Sequence, residues 1–187
     1  NYSWGWAPFH YGRWHRHAHH GWVWYPGTVW GPAWVTWRYS DSYCGWAPLP
    51  PEADWDVRFG LCYRGSRVSL SFGWGLGYDY YSCVPMNRFH HREVWRHCLP
   101  RERNVTIINN TTIINNYGVD KHGVVNRGID KGMVERHTRE EIRKVDIVDA
   151  RQPGQASRIV QDGDRVVAVN SFRPTLPSQA SAPPARV

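Results

Sequence analysis

The sequence predicts a mainly β protein: Trp-rich antiparallel hairpin repeats, then a small α+β C-terminal unit and a disordered Pro/Ser/Ala tail. Three observations carry that prediction. Nine of the 12 tryptophans lie between Trp4 and Pro51, and aromatic side chains fit pleated sheets better than helices. The tetrapeptide Gly-Trp-Ala-Pro stands at 5–8 and again at 45–48, with Gly31-Pro32-Ala33-Trp34 between them, and periodic Gly and aromatic motifs mark repeated hairpins. Later segments alternate apolar and polar residues between turn signals. Four divisions follow: hairpin repeats over 1–51, a β region over 52–117, an α+β unit over 118–172 and a tail over 173–187.

The elements follow in chain order. Tyr11 to Arg16 reads as a strand, His17 to Gly21 as a loop ending in a residue free to take positive φ, and Trp22 to Tyr25 as the return strand. Trp22 and Trp24 share one face, as do Trp14 and Arg16 opposite them. Val35 and Trp37 continue the alternation before a turn at Ser40-Asp41-Ser42. Proline after Ala or Gly ends strands and blocks edge pairing, since it offers no N–H. Pro48 to Pro51 is a rigid extended break. Short strands are expected from Asp54 to Ser82, with Arg67 to Phe72 half-buried through Val68, Leu70 and Phe72. Gly73 to Tyr78 has the wrong spacing and context for a dinucleotide fingerprint and reads as a bent strand. Met86 to Pro100 is basic and His-rich, a surface loop.

The pentapeptide Thr-Ile-Ile-Asn-Asn is tandem: Thr106, Ile107, Ile108, Asn109 and Asn110, then Thr112, Ile113, Ile114, Asn115 and Asn116. It reads as strand, either buried within its own sheet or stacked between copies of the chain, where identical side chains would form ladders. On the second reading these ten residues are an assembly contact. Trp disappears after Gly118 and charge rises. Asp130 is placed to cap a short helix through Met133, Val134 and His137. Ile142 to Val148 reads as a strand, and Asp162-Gly163 joins two more as a hairpin turn.

The segments WGWAPFHYGRW, GWVWYPGTVWGPAWVTWR and CGWAPLPP resemble the Trp-Ala-Pro repeats of the DUF6600 family, uncharacterised secreted bacterial envelope proteins often preceded by a FecR-like β domain. NVTIINNTTIINNY and VNRGID resemble the segment that follows those repeats, extending the likeness from Trp4 to Ala150. The resemblance implies a β fold and a secreted, periplasmic or outer-surface location, and brings no activity or functional residue. Here HRHAHH replaces the usual aromatic loop, and the chain begins inside a repeat with no FecR-like part before it, so Asn1 is expected to be a processed or truncated start.

The net charge of +7 favours anionic partners, including acidic glycans. Nucleic acid is disfavoured because Lys and Arg are scattered and no binding signature is present. No apolar run reaches the roughly 20 residues of a transmembrane helix. The four cysteines, Cys44, Cys62, Cys83 and Cys98, are an even set in a secreted-type sequence and predict two disulfides, with Cys44–Cys62 and Cys83–Cys98 the favoured pairing. A zinc site drawn from Cys83, His90, His91, His97 and Cys98 is the alternative.

Chemistry is thinly signalled. His15, His17 and His19 would point the same way from an extended strand and could ligate a divalent metal. Against that, the group reads as a solvent-facing hairpin tip. Most tryptophans read as core, while Trp22, Trp24 and Trp30 are candidates for stacking on sugar or on a partner. No Gly-x-Ser-x-Gly elbow is present. The expectation is a non-enzymatic, cofactor-free structural or interaction protein of the envelope, self-associating or joined to other envelope proteins. The alternative is a module binding carbohydrate or metal.

Overall fold

The computed structural model describes residues 4–121, 123–156, 158–163 and 165–176. The protein is mainly β and built from several small sheets. Strands β1 (Arg13–His17) and β2 (Gly21–Tyr25) form the first hairpin, with Trp14 opposite Trp24 and Arg16 opposite Trp22. Its loop ends at Gly21, which has φ +69° as the sequence predicts. Gly12 before β1 is more constrained. At φ +75° a Cβ there would lie 2.0 Å from the Tyr25 carbonyl oxygen, so only glycine fits.

Strands β3 (Val35–Tyr39), β4 (Tyr43–Pro48), β5 (Ala53–Asp56), β6 (Gly60–Tyr63) and β7 (Ser66–Arg67) follow. The β3–β4 turn is held by the Ser40 hydroxyl, which accepts from the Ser42 and Tyr43 amides. Then come β8 (Ser82–Pro85), helix α1 (Asn104–Asn109) and β9 (Thr112–Ile114). The central sheet is antiparallel in the order β8-β4-β3-β9, and β5-β6-β7 is a separate three-stranded sheet. The rest comprises the hairpin β10 (Tyr117–Asp120) and β11 (Gly123–Asn126), helix α2 (Lys131–Thr138), and strands β12 (Asp146–Asp149), β13 (Ile159–Asp162) and β14 (Arg165–Ser171). In the last sheet β14 is central, parallel to β12 and antiparallel to β13.

Three apolar cores hold these sheets together. Trp34, Leu49, Leu61, Trp74 and Val124 form the first; Cys44, Val84, Met86, Ile129 and Val134 the second; Ala47, Tyr81, Cys83 and Ile107 the third. Packing runs straight across the composition change at Gly118, since Val124 joins the first core and Ile129 and Val134 the second. Asp130 caps α2 as expected, its carboxylate accepting from the Met133 amide at 2.9 Å.

Several expectations are corrected. The two TIINN copies do not share a conformation. Residues 106–109 lie in α1, whereas Thr112–Ile114 form β9. Context decides: Arg38 donates to the Ile108 carbonyl at 2.8 Å, serving the exposed end of α1, while β3 offers the second copy a strand edge. Arg67 to Phe72 is not one strand. It leaves the sheet after Arg67, and the Leu70 and Phe72 carbonyls turn to the amide of Asn115; Leu70, expected half-buried, is 61% exposed. The Ile142 to Val148 strand begins only at Asp146, because the Ile142 amide is taken by the Glu135 carboxylate. Within the expected surface loop, Met86 is buried and Phe89 packs on the second core.

The junction of the α+β unit with the expected tail is held. Phe172 meets Trp6 edge-to-face, the Pro174 carbonyl accepts from the Tyr11 hydroxyl at 2.7 Å, and Arg173 lies over Trp30. The remainder of the tail, 177–187, and Asp164 beside the expected hairpin turn lie outside the described residues.

Candidate functional site

The first hairpin lies beside one face of the central sheet, and between them is a cleft of 570 Å³, within the roughly 300–1,000 Å³ of small-ligand sites. Alternation builds its floor. Val35 on β3 and Trp46 and Pro48 on β4 share a face, because Trp37 pairs with Trp46 and Val35 with Pro48. Trp14 and Trp22 come from the hairpin, Trp34 from the loop before β3, and Tyr80 to Ser82 from the approach to β8.

Hydrogen bonds fix these walls. The Trp14 indole donates to the Pro8 carbonyl at 2.8 Å, and the Trp34 indole to the His10 carbonyl at 2.9 Å. Tyr80 donates to the Arg16 carbonyl at 3.3 Å, and Arg16 pairs with Asp79, so the hairpin is tied to the opposite wall. Trp22 stands edge-on to Tyr80 at 5.9 Å and is 38% exposed, leaving part of its surface for a ligand.

Arg13 and Arg101 also line the cleft. Arg13 lies on the Trp34 ring, 3.8 Å from its centroid, and Tyr117 stacks with the same indole at 5.7 Å. Burial lowers the guanidinium to about 10 and drives the Tyr117 hydroxyl up, where it donates to the Ala33 and Val35 carbonyls.

Of the three tryptophans singled out in the sequence, one reaches this cleft. Trp22 lines it. Trp24 spends its indole N–H on the Tyr11 carbonyl beside the hairpin. Trp30 stacks on His10 and under Arg173, beside a more polar groove with Thr28, Lys121 and Asp149. Sequence reading missed Trp14, Trp34, Trp46, Tyr80, Arg13 and Arg101. The repeated Gly-Trp-Ala-Pro motif marks Trp46, but nothing local marks Tyr80, which joins only through tertiary packing.

The candidate histidines take up ring contacts and a local hydrogen bond. His15 contacts the Tyr25 and Tyr80 rings, while His17 stacks on His20 at 4.7 Å and its Nδ1 accepts from the His19 amide at 3.2 Å. His90, His91 and His97 do gather, with ring centroids 4.8 and 4.5 Å apart, but Arg88 Nη1 lies 3.3 Å from His91 Nε2. Among the described residues, no group of three or more His, Cys, Asp or Glu side chains is placed to hold a metal ion.

All four cysteines are free thiols, which departs from the two expected disulfides. Cys44 and Cys62 lie in different sheets, β4 and β6. Cys44 and Cys83 sit on neighbouring strands, but Gly45 is the residue paired with Cys83, so the two thiols enter opposite cores. Cys98 follows near Cys83, since the Leu99 amide donates to the Cys83 carbonyl at 2.8 Å. Burial pushes Cys44 up to about 12 and Cys83 to about 11.

The TIINN residues are spread over several environments. Ile107 is in the third core; Asn109, Asn110, Thr106 and Thr112 are exposed; Ile108, Ile113, Ile114 and Asn116 are half-buried. Asn115 is 4% exposed, donates to the Leu70 and Phe72 carbonyls and accepts from the Trp74 indole.

Fold and site together define an aromatic-rich, multi-sheet β protein with a ligand-sized cleft beside its first hairpin. Residues 1–53 match the profile of a family described as a family of unknown function, DUF6600, so the likeness read from the Trp repeats is shown over that stretch. The match ends there, and the wider likeness drawn to Ala150 lies beyond it. No curated protein and no solved structure matches the chain. No helix among the described residues is long and apolar enough to cross a membrane.

Proposed function

We propose that this protein is a non-enzymatic interaction module of the bacterial envelope or extracellular space that holds a saccharide in its aromatic cleft. The observation that carries the reading is the cleft itself: rings from the hairpin, the loop before β3, β4 and the Tyr80 segment converge on one space. Aromatic rings offer large apolar faces at low entropic cost, which suits the flat faces of sugar rings. The polar lining includes Arg13, Ser82 and Arg101, groups suited to holding a ligand. The envelope setting rests on the DUF6600 resemblance.

Tryptophan fluorescence titration with xylo-, chito- and galacturono-oligosaccharides tests this. Trp22→Ala and Tyr80→Ala should each weaken binding about 3–10-fold, the ~0.5–1.5 kcal/mol worth of one aromatic contact, while Trp55→Ala on β5 should not. Absence of Trp22-dependent binding across that panel overturns the reading.

A second reading, self-association, is favoured by the place of β9 as the terminal strand of the central sheet and by exposed Thr112 on it. Lysine on an edge strand discourages pairing with another chain. Thr112→Lys should therefore convert a self-associated species to monomer in light scattering; an unchanged mass sinks this reading.

A further inference from the structure

The charge on Arg13 is at odds with its surroundings. The residue is 7% exposed. Its Nη1 donates to the carbonyl of adjacent Gly12 at 2.9 Å, and its Nε has no hydrogen-bond partner among the described residues. It takes part in none of the ion pairs found among the described residues. Asp54 acts on it only through space. Burying a guanidinium so far costs free energy unless it is paired and hydrogen-bonded, and the Trp34 ring beneath it repays only part of that.

Arg13 is also a lining residue of the cleft, with Arg101 a second cation there. The aromatic walls suit a ring, and the guanidinium, which takes part in no ion pair found among the described residues, suits an anionic group on that ring. A carboxylate is the planar anion that matches a guanidinium at two points. We propose that the ligand is an acidic saccharide, a chain containing uronic acid, and that Arg13 receives its carboxylate. This rests on the saccharide reading of the cleft and narrows it to one chemical class. The chain's net charge of +7 acts in the same direction at long range, drawing a polyanion toward the surface.

The test compares trigalacturonate with its fully methyl-esterified form, which keeps the rings and removes the charge. Binding to the natural protein is measured by tryptophan fluorescence and calorimetry. The acid should bind tenfold or more tightly than the ester, the scale of hydrogen bonds to a charged group. Arg13→Met replaces the guanidinium that lies over Trp34 with an uncharged side chain and should abolish that preference, acid and ester then binding alike. Because a buried substitution can fail to fold, the acid-to-ester comparison on the unaltered chain stands as a test by itself. Equal affinity for acid and ester, lost together in Trp22→Ala, overturns the acidic-ligand proposal and leaves the saccharide cleft standing. Acid preference that survives in a folded Arg13→Met protein overturns the role of Arg13. Failure of both trisaccharides to bind, together with silence across the wider oligosaccharide panel, overturns both readings.

Discussion

Asn115 and Asn109 occupy the same position in the two TIINN copies, and the structure predicts opposite consequences for losing them. Asn115→Ala removes the acceptor of the buried Trp74 indole at 2.8 Å and the donor to the Phe72 carbonyl at 3.0 Å. The Leu70 carbonyl is spared, since the Asn115 backbone amide still donates to it at 2.7 Å. One buried and one partly buried group left unpaired, at roughly 1–3 kcal/mol each, give a loss of about 3 kcal/mol. Asn109 is exposed on α1, so Asn109→Ala should change stability by less than about 0.5 kcal/mol. In urea the Asn115 variant should lose about 1 M in midpoint, taking a slope of 2–3 kcal/mol per M, with the Asn109 variant unmoved. A Trp74→Phe background, which removes the orphaned donor, should recover about 1 kcal/mol of the Asn115→Ala loss. Equal midpoint shifts at 109 and 115 would refute the reasoning, because they would mean that the two copies share an environment after all.

Other consequences follow from the thiols and imidazoles. Iodoacetamide at pH 8 should label exposed Cys98 first, and Cys44 and Cys83 only on unfolding, because burial keeps the latter two protonated; mass mapping that finds Cys44 labelled as fast as Cys98 contradicts this. Burial depresses His10, the largest effect on it, and desolvation with the nearby His97, His90 and Arg88 depresses His91. The unfolded chain then binds more protons than the folded one, so stability should fall as pH drops below the ordinary histidine value of about 6.5. The decline should be shallower in His10→Gln; urea midpoints at pH 7.5 and 5.5 that differ equally in both proteins would exclude His10 as a source.

The hairpins and their faces were legible because their determinants are local. Trp14, Trp22, Trp24, Gly21 and Asp130 each act through alternation, turn geometry or a cap within a few residues. What escaped was non-local. The first TIINN copy became helix because Arg38, some 70 positions away, serves its carbonyl end. Residues 68–72 left the sheet because Asn115 collects their carbonyls. The cleft was half legible: Trp22 and the Trp46 repeat are visible in sequence, but Tyr80 arrives through an ion pair and a hydrogen bond to Arg16. The disulfide expectation rested on counting, and counting carries no information about which face of a strand a thiol occupies.

Most tryptophans are structural, and that sharpens the case for the cleft. Trp24, Trp37 and Trp74 spend their indole N–H groups on Tyr11, Asn126 and Asn115, so each is both apolar filler and a hydrogen-bonded strut. Trp14 and Trp34 are struts of the same kind that also face the cleft, which makes its walls part of the protein's own framework. Walls fixed in advance lose little entropy when a ligand arrives. A ligand entering this space meets Trp14 and Trp34, whose indole hydrogen bonds are already spent, and a guanidinium that takes part in no ion pair found among the described residues, which an anionic group would complement.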